Sequence, residues 1–265
     1  MLPPDFLGRL LFLLDRYGVS LLQGAGRTLV IAIIGTAIGC LIGFIVGIIQ
    51  TIPVSKNDNL FKKIILKIVR IILAIYVEVF RGTPMMVQAM FIYYGSLQYL
   101  GVDMTMWAAA IFIVSINTGA YMAETVRGGI LSIDRGQTEG AAAIGMNHFT
   151  TMVYVVLPQA LRNIMPQIGN NLIINIKDTC VLSVISVVEL FFVSKGIAGA
   201  YYTYFETFTL TMVIYLIMTV VCSRLLMLLE KKMDGPDTYD LATTDTLAHT
   251  SGMMSYHSQK EGGEV

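Results

Sequence analysis

The clearest chemistry in this chain lies in a polar island between two apolar stretches. It reads Gly136-Gln137-Thr138-Glu139-Gly140-Ala141-Ala142-Ala143-Ile144-Gly145, and Leu157-Pro158 marks the return to hydrophobic sequence. One carboxylate leading a run of alanines and glycines does not build a core. Small side chains let another surface approach closely, and a single carboxylate offers one strong acceptor to a partner's arginine. The expected element is a short helix from about Thr138 to Met146, with Thr138 as its N-cap candidate and Gly145 as its end. Glu139 then sits near the helix start, where the macrodipole favours it and a partner can reach it. The competing reading is an ordinary loop with a solvated glutamate.

Ionisable side chains inside apolar runs form the second candidate set. At a bilayer centre such a group costs at least about 2.5–3.5 kcal/mol, so it faces a partner or a wet cavity. Arg81 follows Glu78 by three residues. The two could neutralise each other on one helix, or Arg81, beside a kink from Pro84, could present its fork to a solute carboxylate. In the second reading Gly82 and Thr83 turn freed carbonyls or the hydroxyl toward the same cavity. Asp178 is the natural counterpart for an ammonium group or cationic side chain; the local alternative is Lys177, although helix neighbours point apart. Gln88, Asn117 and Thr179 are further candidates for lining a path, while a membrane asparagine also serves to hold helices together. Glu124 and Arg127 read as an interfacial pair holding the start of the island's loop, with Arg162 doing the same at its end. Glu189 is expected nearer the outer surface, beside a turn suggested by Gly196-Ile197-Ala198-Gly199.

Other chemistries lack their residues. There is no Gly-rich nucleotide loop ending in Gly-Lys-Ser/Thr, so no ATP site is expected on this chain. No His-Glu-x-x-His motif or Gly-x-Ser-x-Gly elbow is present. Cys40, Cys180 and Cys222 lie in apolar stretches without metal-ligand spacing and read as small buried hydrophobes. The sixteen methionines read as adaptable packing, and His249 and His257 as incidental. No residue is therefore assigned a catalytic or metal-binding role. No domain large enough to capture a solute outside the membrane is evident.

These residues need a membrane scaffold to position them. With 55% hydrophobic and only 14% charged residues, the chain reads as an all-α membrane protein, and its zero net charge suggests no nucleic-acid partner. A bilayer core of about 30 Å takes about 20 helical residues. Thr28–Val54, Met104–Ala123 and a stretch from near Tyr201 through Thr207–Ser223 are spans on that scale. Phe61–Leu100 and Ile164–Ser194 are ambiguous, the latter broken by Lys177, Asp178 and Glu189. Cation clusters at Lys56, Lys62, Lys63, Lys67 and Arg70, at Arg127, Arg135 and Arg162, and at Arg224, Lys231 and Lys232 should all be cytoplasmic. That holds if Phe61–Leu100 is one helix starting at the cytoplasmic surface, with Lys63, Lys67 and Arg70 on one face. The count is five transmembrane helices, N-terminus outside and C-terminus cytoplasmic. Residues 1–20 lack the marks of a cleaved leader and read as an interfacial segment with a short helix at Leu10–Leu14. Residues 21–233 form the transmembrane domain, with a cytoplasmic loop at 131–161, and 234–265 read as a disordered cytoplasmic tail. Tyr201, Tyr202 and Tyr204 suit an outer aromatic belt. No internal repeat argues for a secondary-transporter fold.

The polar island with its closing Leu-Pro resembles the EAA loop of ABC importer permeases, the coupling helix that docks on the ATPase. The likeness extends through Glu78-Val79-Phe80-Arg81-Gly82-Thr83-Pro84 with Gln88, and Ala120-Tyr121-Met122-Ala123-Glu124-Thr125-Val126-Arg127-Gly128-Gly129-Ile130. It continues in Leu157-Pro158-Gln159-Ala160-Leu161-Arg162, Pro166, and Lys177-Asp178-Thr179 running on to Val188-Glu189-Leu190. Over roughly Leu22 to Lys231 the chain is similar to the polar amino-acid permeases, multi-pass proteins of the cytoplasmic membrane. The resemblance implies a type I ABC importer permease fold. It also implies a second permease copy or paralogue, two ATPase subunits that hold ATP and Mg, and an extracytoplasmic solute-binding protein. The cargo would be a polar amino acid, and this chain would carry no cofactor. Coupling would fall to Glu139, Gly140, Ala141, Ala142, Ala143, Gly145, Leu157 and Pro158. Gly140 stands where the family has alanine, costing the helix about 0.5–1 kcal/mol, and Cys180 stands where serine is usual. Rival readings are a permease for an opine or peptide, an autonomous ion-coupled transporter, and a purely structural membrane protein.

Overall fold

The computed structural model describes residues 2–53 and 59–234, and side chains as far as residue 229. The expected disordered tail from 234 lies, beyond its first residue, outside the described residues, as do Lys56, His249 and His257. The described chain is helical throughout, without a strand.

Helix α1 (Phe6–Thr51) starts on Asp5, whose carboxylate accepts from the Gly8 N–H at 2.8 Å. Its 46 residues rise about 69 Å, more than twice the hydrocarbon core. The division into a short segment at residues 1–20 and a span from Thr28 is therefore not observed. Asp15 and Arg16 fall on exposed faces, and Arg9 reaches Glu206 at 2.9 Å, so the charges mark solvated or paired positions and not a helix end. Gly35, Gly39, Gly43 and Gly47 recur every fourth residue and line one edge of α1. Along it runs α4 (Met106–Leu131), begun by Thr105, whose hydroxyl accepts from Ala108 N–H. A Cβ at Gly39 would sit 2.6 Å from Thr118 Cβ, and one at Gly47 would sit 2.7 Å from Val126. Only hydrogen at these positions permits the approach, so α1 and α4 form the tightest seam of the fold.

Helix α2 (Leu60–Gly82) crosses this pair through Tyr76 and Val77, and α3 (Met85–Leu100) follows after a break at Thr83–Pro84. The single helix expected over Phe61–Leu100 is thus two, because Pro84 has no N–H and its ring collides with the preceding turn. After α5 (Arg135–Ala143) and α6 (His148–Thr151), a π-helical turn at Met152–Val156 leads into α7 (Leu157–Asp178). A 3₁₀ turn at Thr179–Ile185 ends the run. The chain then bends by 56° into α8 (Leu190–Tyr201) before α9 (Tyr204–Asp234). Ser186, in the left-handed region at φ 62°, makes the corner. Gly196–Gly199, expected as a turn, lies inside α8.

Asn175 on α7 locks the seam from the third side. Its amide donates to Thr36 Oγ1 at 2.7 Å and to Thr118 Oγ1 at 2.9 Å. Phe6–Thr51, Met106–Leu131 and Tyr204–Leu229 are each long and apolar enough to cross a bilayer, and the bent α7–α8 unit makes four. The α2–α3 pair does not qualify: α2 is dotted with charge, and the 16 residues of α3 rise only about 24 Å.

Gly39→Leu should force α1 from α4 and lower stability by about 1–3 kcal/mol, whereas Asn175→Ala should cost only about 0.6–1.7 kcal/mol. Unfolding by SDS titration of the purified chain checks both, and a Gly39→Leu protein as stable as wild type would contradict the seam.

Candidate functional site

The polar island folds as α5, a helix of nine residues, Arg135–Ala143. Its cap is Asp134, which accepts from Gly136 N–H at 2.6 Å, so Thr138 lies inside the helix and not at its start. The shift follows from Asp134-Arg135-Gly136, where a short carboxylate can turn back on the next amides. At the other end Gly145 N–H donates to Ala142 O and Met146 N–H to Ala141 O, both at 3.0 Å. With Gly145 at φ 85° this is a Schellman closure, and glycine is there because the turn needs a left-handed residue. Only Ala141 is buried, against α6 and the π turn; Gly140, Ala142 and Ala143 are exposed. Glu139 is exposed and makes no hydrogen bond or ion pair with the described residues. A Cβ at Gly140 would meet nothing within 4 Å, so packing within the chain does not require glycine there. Beside them stand Ile144, 79% exposed, and Phe149, 75% exposed.

The expected loop over 131–161 does not close at Leu157-Pro158. Both lie inside a helical run that begins at His148, and Leu157 N–H bonds back to Met152 O. Pro158 cannot donate to the carbonyl one turn earlier, and the wider π turn sits directly before it. Gln159 supplies a side-chain donor to Val155 O at 2.9 Å. Arg162 is exposed without a partner among the described residues, so it does not hold the end of this segment.

The break at Thr83–Pro84 is repaired by side chains. Pro84 deprives Phe80 O of its helical donor; Gln88 Nε2 supplies one at 2.9 Å and Asn117 Nδ2 another at 3.2 Å. Gln88 also donates to Thr83 O and Thr83 Oγ1, at 2.9 and 2.8 Å, and accepts from Asn117 at 2.9 Å. Gln88 and Asn117, named as path-lining candidates, are buried and spent on this network. Thr83 remains at its exposed edge.

Just below the break, α2, α4 and the end of α1 enclose a cleft of about 620 Å³, lined by Gln50, Arg70, Glu78, Arg81, Tyr121, Glu124 and Arg127 among others. Arg81 turns away from Glu78 toward Glu124, at 3.9 Å, and its guanidinium lies 5.7 Å from the Tyr121 ring centre. Glu124 is gripped by Arg127 through both guanidinium edges, Nε to Oε2 at 3.3 Å and Nη2 to Oε1. The Arg81 and Glu124 side chains are 42% and 37% exposed, so their link is worth about 0–1 kcal/mol and leaves Arg81 free to change partners.

Asp178 does not line this cleft. It is exposed at the end of α7, without a hydrogen bond or ion pair among the described residues. Thr179, expected beside it on a path, is fully buried and donates to Ile176 O at 3.0 Å. Arg81 and Asp178 therefore do not meet within one chain. Sequence reasoning also misplaced Glu189. It is fully buried and caps α8, accepting from Phe191 N–H at 2.9 Å, Phe192 N–H at 2.7 Å and Tyr215 Oη at 2.9 Å, with Thr28 at 3.4 Å. Its position directly before an apolar helical run was the available signal. Asn175 was missed altogether; its signal was a buried amide facing two threonine-bearing helices.

Because Gln88 and Asn117 serve the same carbonyl, Gln88→Ala and Asn117→Ala should be non-additive. The coupling expected in a double-mutant cycle of SDS unfolding is about 0.5–3 kcal/mol. Additive losses would mean the two amides act separately.

Residues 64–235 match the family described as the binding-protein-dependent transport system inner membrane component. The glutamine transport system permease protein of Escherichia coli is 37% identical over 214 residues, covering 80% of this chain and 92% of that protein. The nopaline transport system permease protein of Agrobacterium fabrum is 38% identical over 221 residues, covering 80% and 86%. Among solved structures, an amino acid ABC transporter crystallised with histidines superposes with a TM-score of 0.74 at 33% identity, covering 87% of this chain and 99% of that one. The inward-facing methionine ABC transporter MetNI superposes at 0.64 with 19% identity, a likeness of fold alone. With its apolar spans and outward-facing α5, the chain belongs to the family of binding-protein-dependent transport system inner membrane components, ABC transporter permeases of the cytoplasmic membrane.

Proposed function

We propose that this chain is the permease subunit of an ATP-driven importer of a polar amino acid, resting α5 on a separate ATPase. The observation that carries the coupling role is the exposed Glu139, without a partner among the described residues, on a helix whose Gly140, Ala142 and Ala143 are exposed. The amino-acid cargo is supported by the relatives named for glutamine and nopaline transport and by the amino acid transporter that shares the fold.

In this reading there are five spans, the α2–α3 pair being the fifth, with the N-terminus outside and the C-terminus in the cytoplasm. The clustering of Lys62, Lys63, Lys67 and Arg70, of Arg127 and Arg135, and of Arg224 at ends that would share one side supports that orientation. A second copy or close paralogue completes the path, and a binding protein delivers the solute. Arg81 and Asp178 point to different parts of one chain's surface, so both serve one solute only at a seam between two permeases. Arg81, loosely held by Glu124, is suited to a carboxylate. Asp178, exposed and without a hydrogen bond or ion pair among the described residues, is suited to an ammonium or cationic side chain. ATP and Mg reside on the ATPase, which pulls the two α5 helices together as it closes. A contact can transmit that change only if it persists in both states.

The test is ATPase and uptake by the chain reconstituted with its ATPase and binding protein, screened across polar amino acids. One amino acid should stimulate both. Glu139→Ala should reduce stimulated uptake about 10- to 100-fold, the value of a lost charge-assisted hydrogen bond, at unchanged membrane abundance. Wild-type uptake by this variant would sink the coupling role. An intact complex that no amino acid stimulates would instead remove the cargo assignment.

A further inference from the structure

The exposed face of α7 is polar where a bilayer should make it apolar. Asn163, Gln167, Asn170 and Ile174 follow one another at steps of four, three and four residues, and all are exposed. That alternation is the spacing of a seam between paired helices. Asn163 reaches Ser132 Oγ at 3.3 Å, while the side chains of Gln167 and Asn170 make no hydrogen bond among the described residues. The bent α7–α8 unit is long and apolar enough to cross a bilayer, and lipid tails offer an amide neither donor nor acceptor. Another polar surface has to cover this row.

Two charges flank the row. With 3.6 residues per turn, Lys177 and Asp178 fall roughly 50° to either side of its mean direction. They feel each other's charge, yet neither makes an ion pair with the other or with any described residue, because neighbours on a helix point apart. A two-fold axis lets a second copy answer each of these groups. An amide carries both donor and acceptor, so Gln167 and Asn170 complement their own equivalents. Across such an axis a basic flank faces an acidic one, and each copy's Lys177 meets the other's Asp178.

We propose that this face of α7 is the seam with a second, identical copy of the chain, so that the permease pair is a homodimer. The inference rests on the proposed pairing of two permeases and goes further by naming the partner and the surface. A paralogue would need a matching row of its own, whereas this chain already carries both halves. Lys177 of one copy is then the group that a solute ammonium displaces from Asp178 of the other.

Cross-linking of the full-length chain in native membranes tests the seam, with Cys40, Cys180 and Cys222 replaced by alanine. Asn170→Cys and Gln167→Cys should each give a disulfide-linked dimer on oxidation, without a paralogue, ATPase or amino acid present. Val221→Cys, exposed on α9, gives the background of random encounters. Two differently tagged copies of the chain should also co-purify. Asp178→Lys sets cations against cations and should lower co-purification about tenfold or more. Adding Lys177→Asp to the same chain should restore it, which a variant that merely misfolds would not do. Copies that co-purify without the α7 cross-link would keep the pairing and overturn the seam. Copies that associate only with a paralogous permease would overturn the identical partner. Labelling of Asn170→Cys by a water-soluble maleimide, without any cross-link, would reassign the row to an aqueous path.

Discussion

In hydrocarbon a backbone carbonyl or amide without a partner costs several kcal/mol, and no water is at hand to supply one. This chain breaks its helices repeatedly, and at two of these breaks side chains complete the ladder. Pro84 strands the Phe80 carbonyl, and Gln88 and Asn117 reach it from the next two helices. The corner at Ser186 exposes the first amides of α8, and Glu189 accepts two of them. Polar residues that look like an aqueous path in the sequence are thereby consumed by the backbone. Glu139 and Asp178, which make no hydrogen bond or ion pair among the described residues, stand out by contrast.

The repairs succeed because the body they attach to is stiff. The glycine edge of α1 and the face of α4 leave no room for relaxation at Gly35, Gly39, Gly43 or Gly47, and Asn175 ties α7 to both helices. Elements bearing the candidate chemistry lie at the rim of this body. Helix α5 is anchored through Ala141, and α2 through the neighbourhood of Tyr76 and Val77, where Tyr76 Oη donates to Ile116 O at 2.6 Å. A stiff centre with lightly held margins is the distribution expected where motion has to be local.

Hydrophobicity and short motifs carried the fold class, the membrane setting and the outward-facing island, since each depends on residues close together in sequence. The α5 ending at Gly145 was legible for the same reason. The cap at Asp134 was missed because Thr138 competes with it on propensity and only the backbone path chooses between them. Charges in the first twenty residues suggested a separate segment, but an arginine that finds Glu206 across the fold leaves no local trace. Gln88 and Thr179 were read as facing a path, and Asn117 as facing a path or holding helices together, because polarity does not reveal direction. Their inward orientation is a tertiary fact, as is the preference of Arg81 for Glu124 over Glu78.

Residues 148–185 form one helical run from beside α5 to the corner before α8. Its 38 residues would rise roughly 55 Å, so a single element joins the neighbourhood of α5 to the corner before α8. The π turn at Met152–Val156 widens the helix near its α5 end, while Asn175 ties the far half to Thr36 and Thr118. If α5 docks on the ATPase as proposed, any displacement of that end has one continuous path to the centre of the fold.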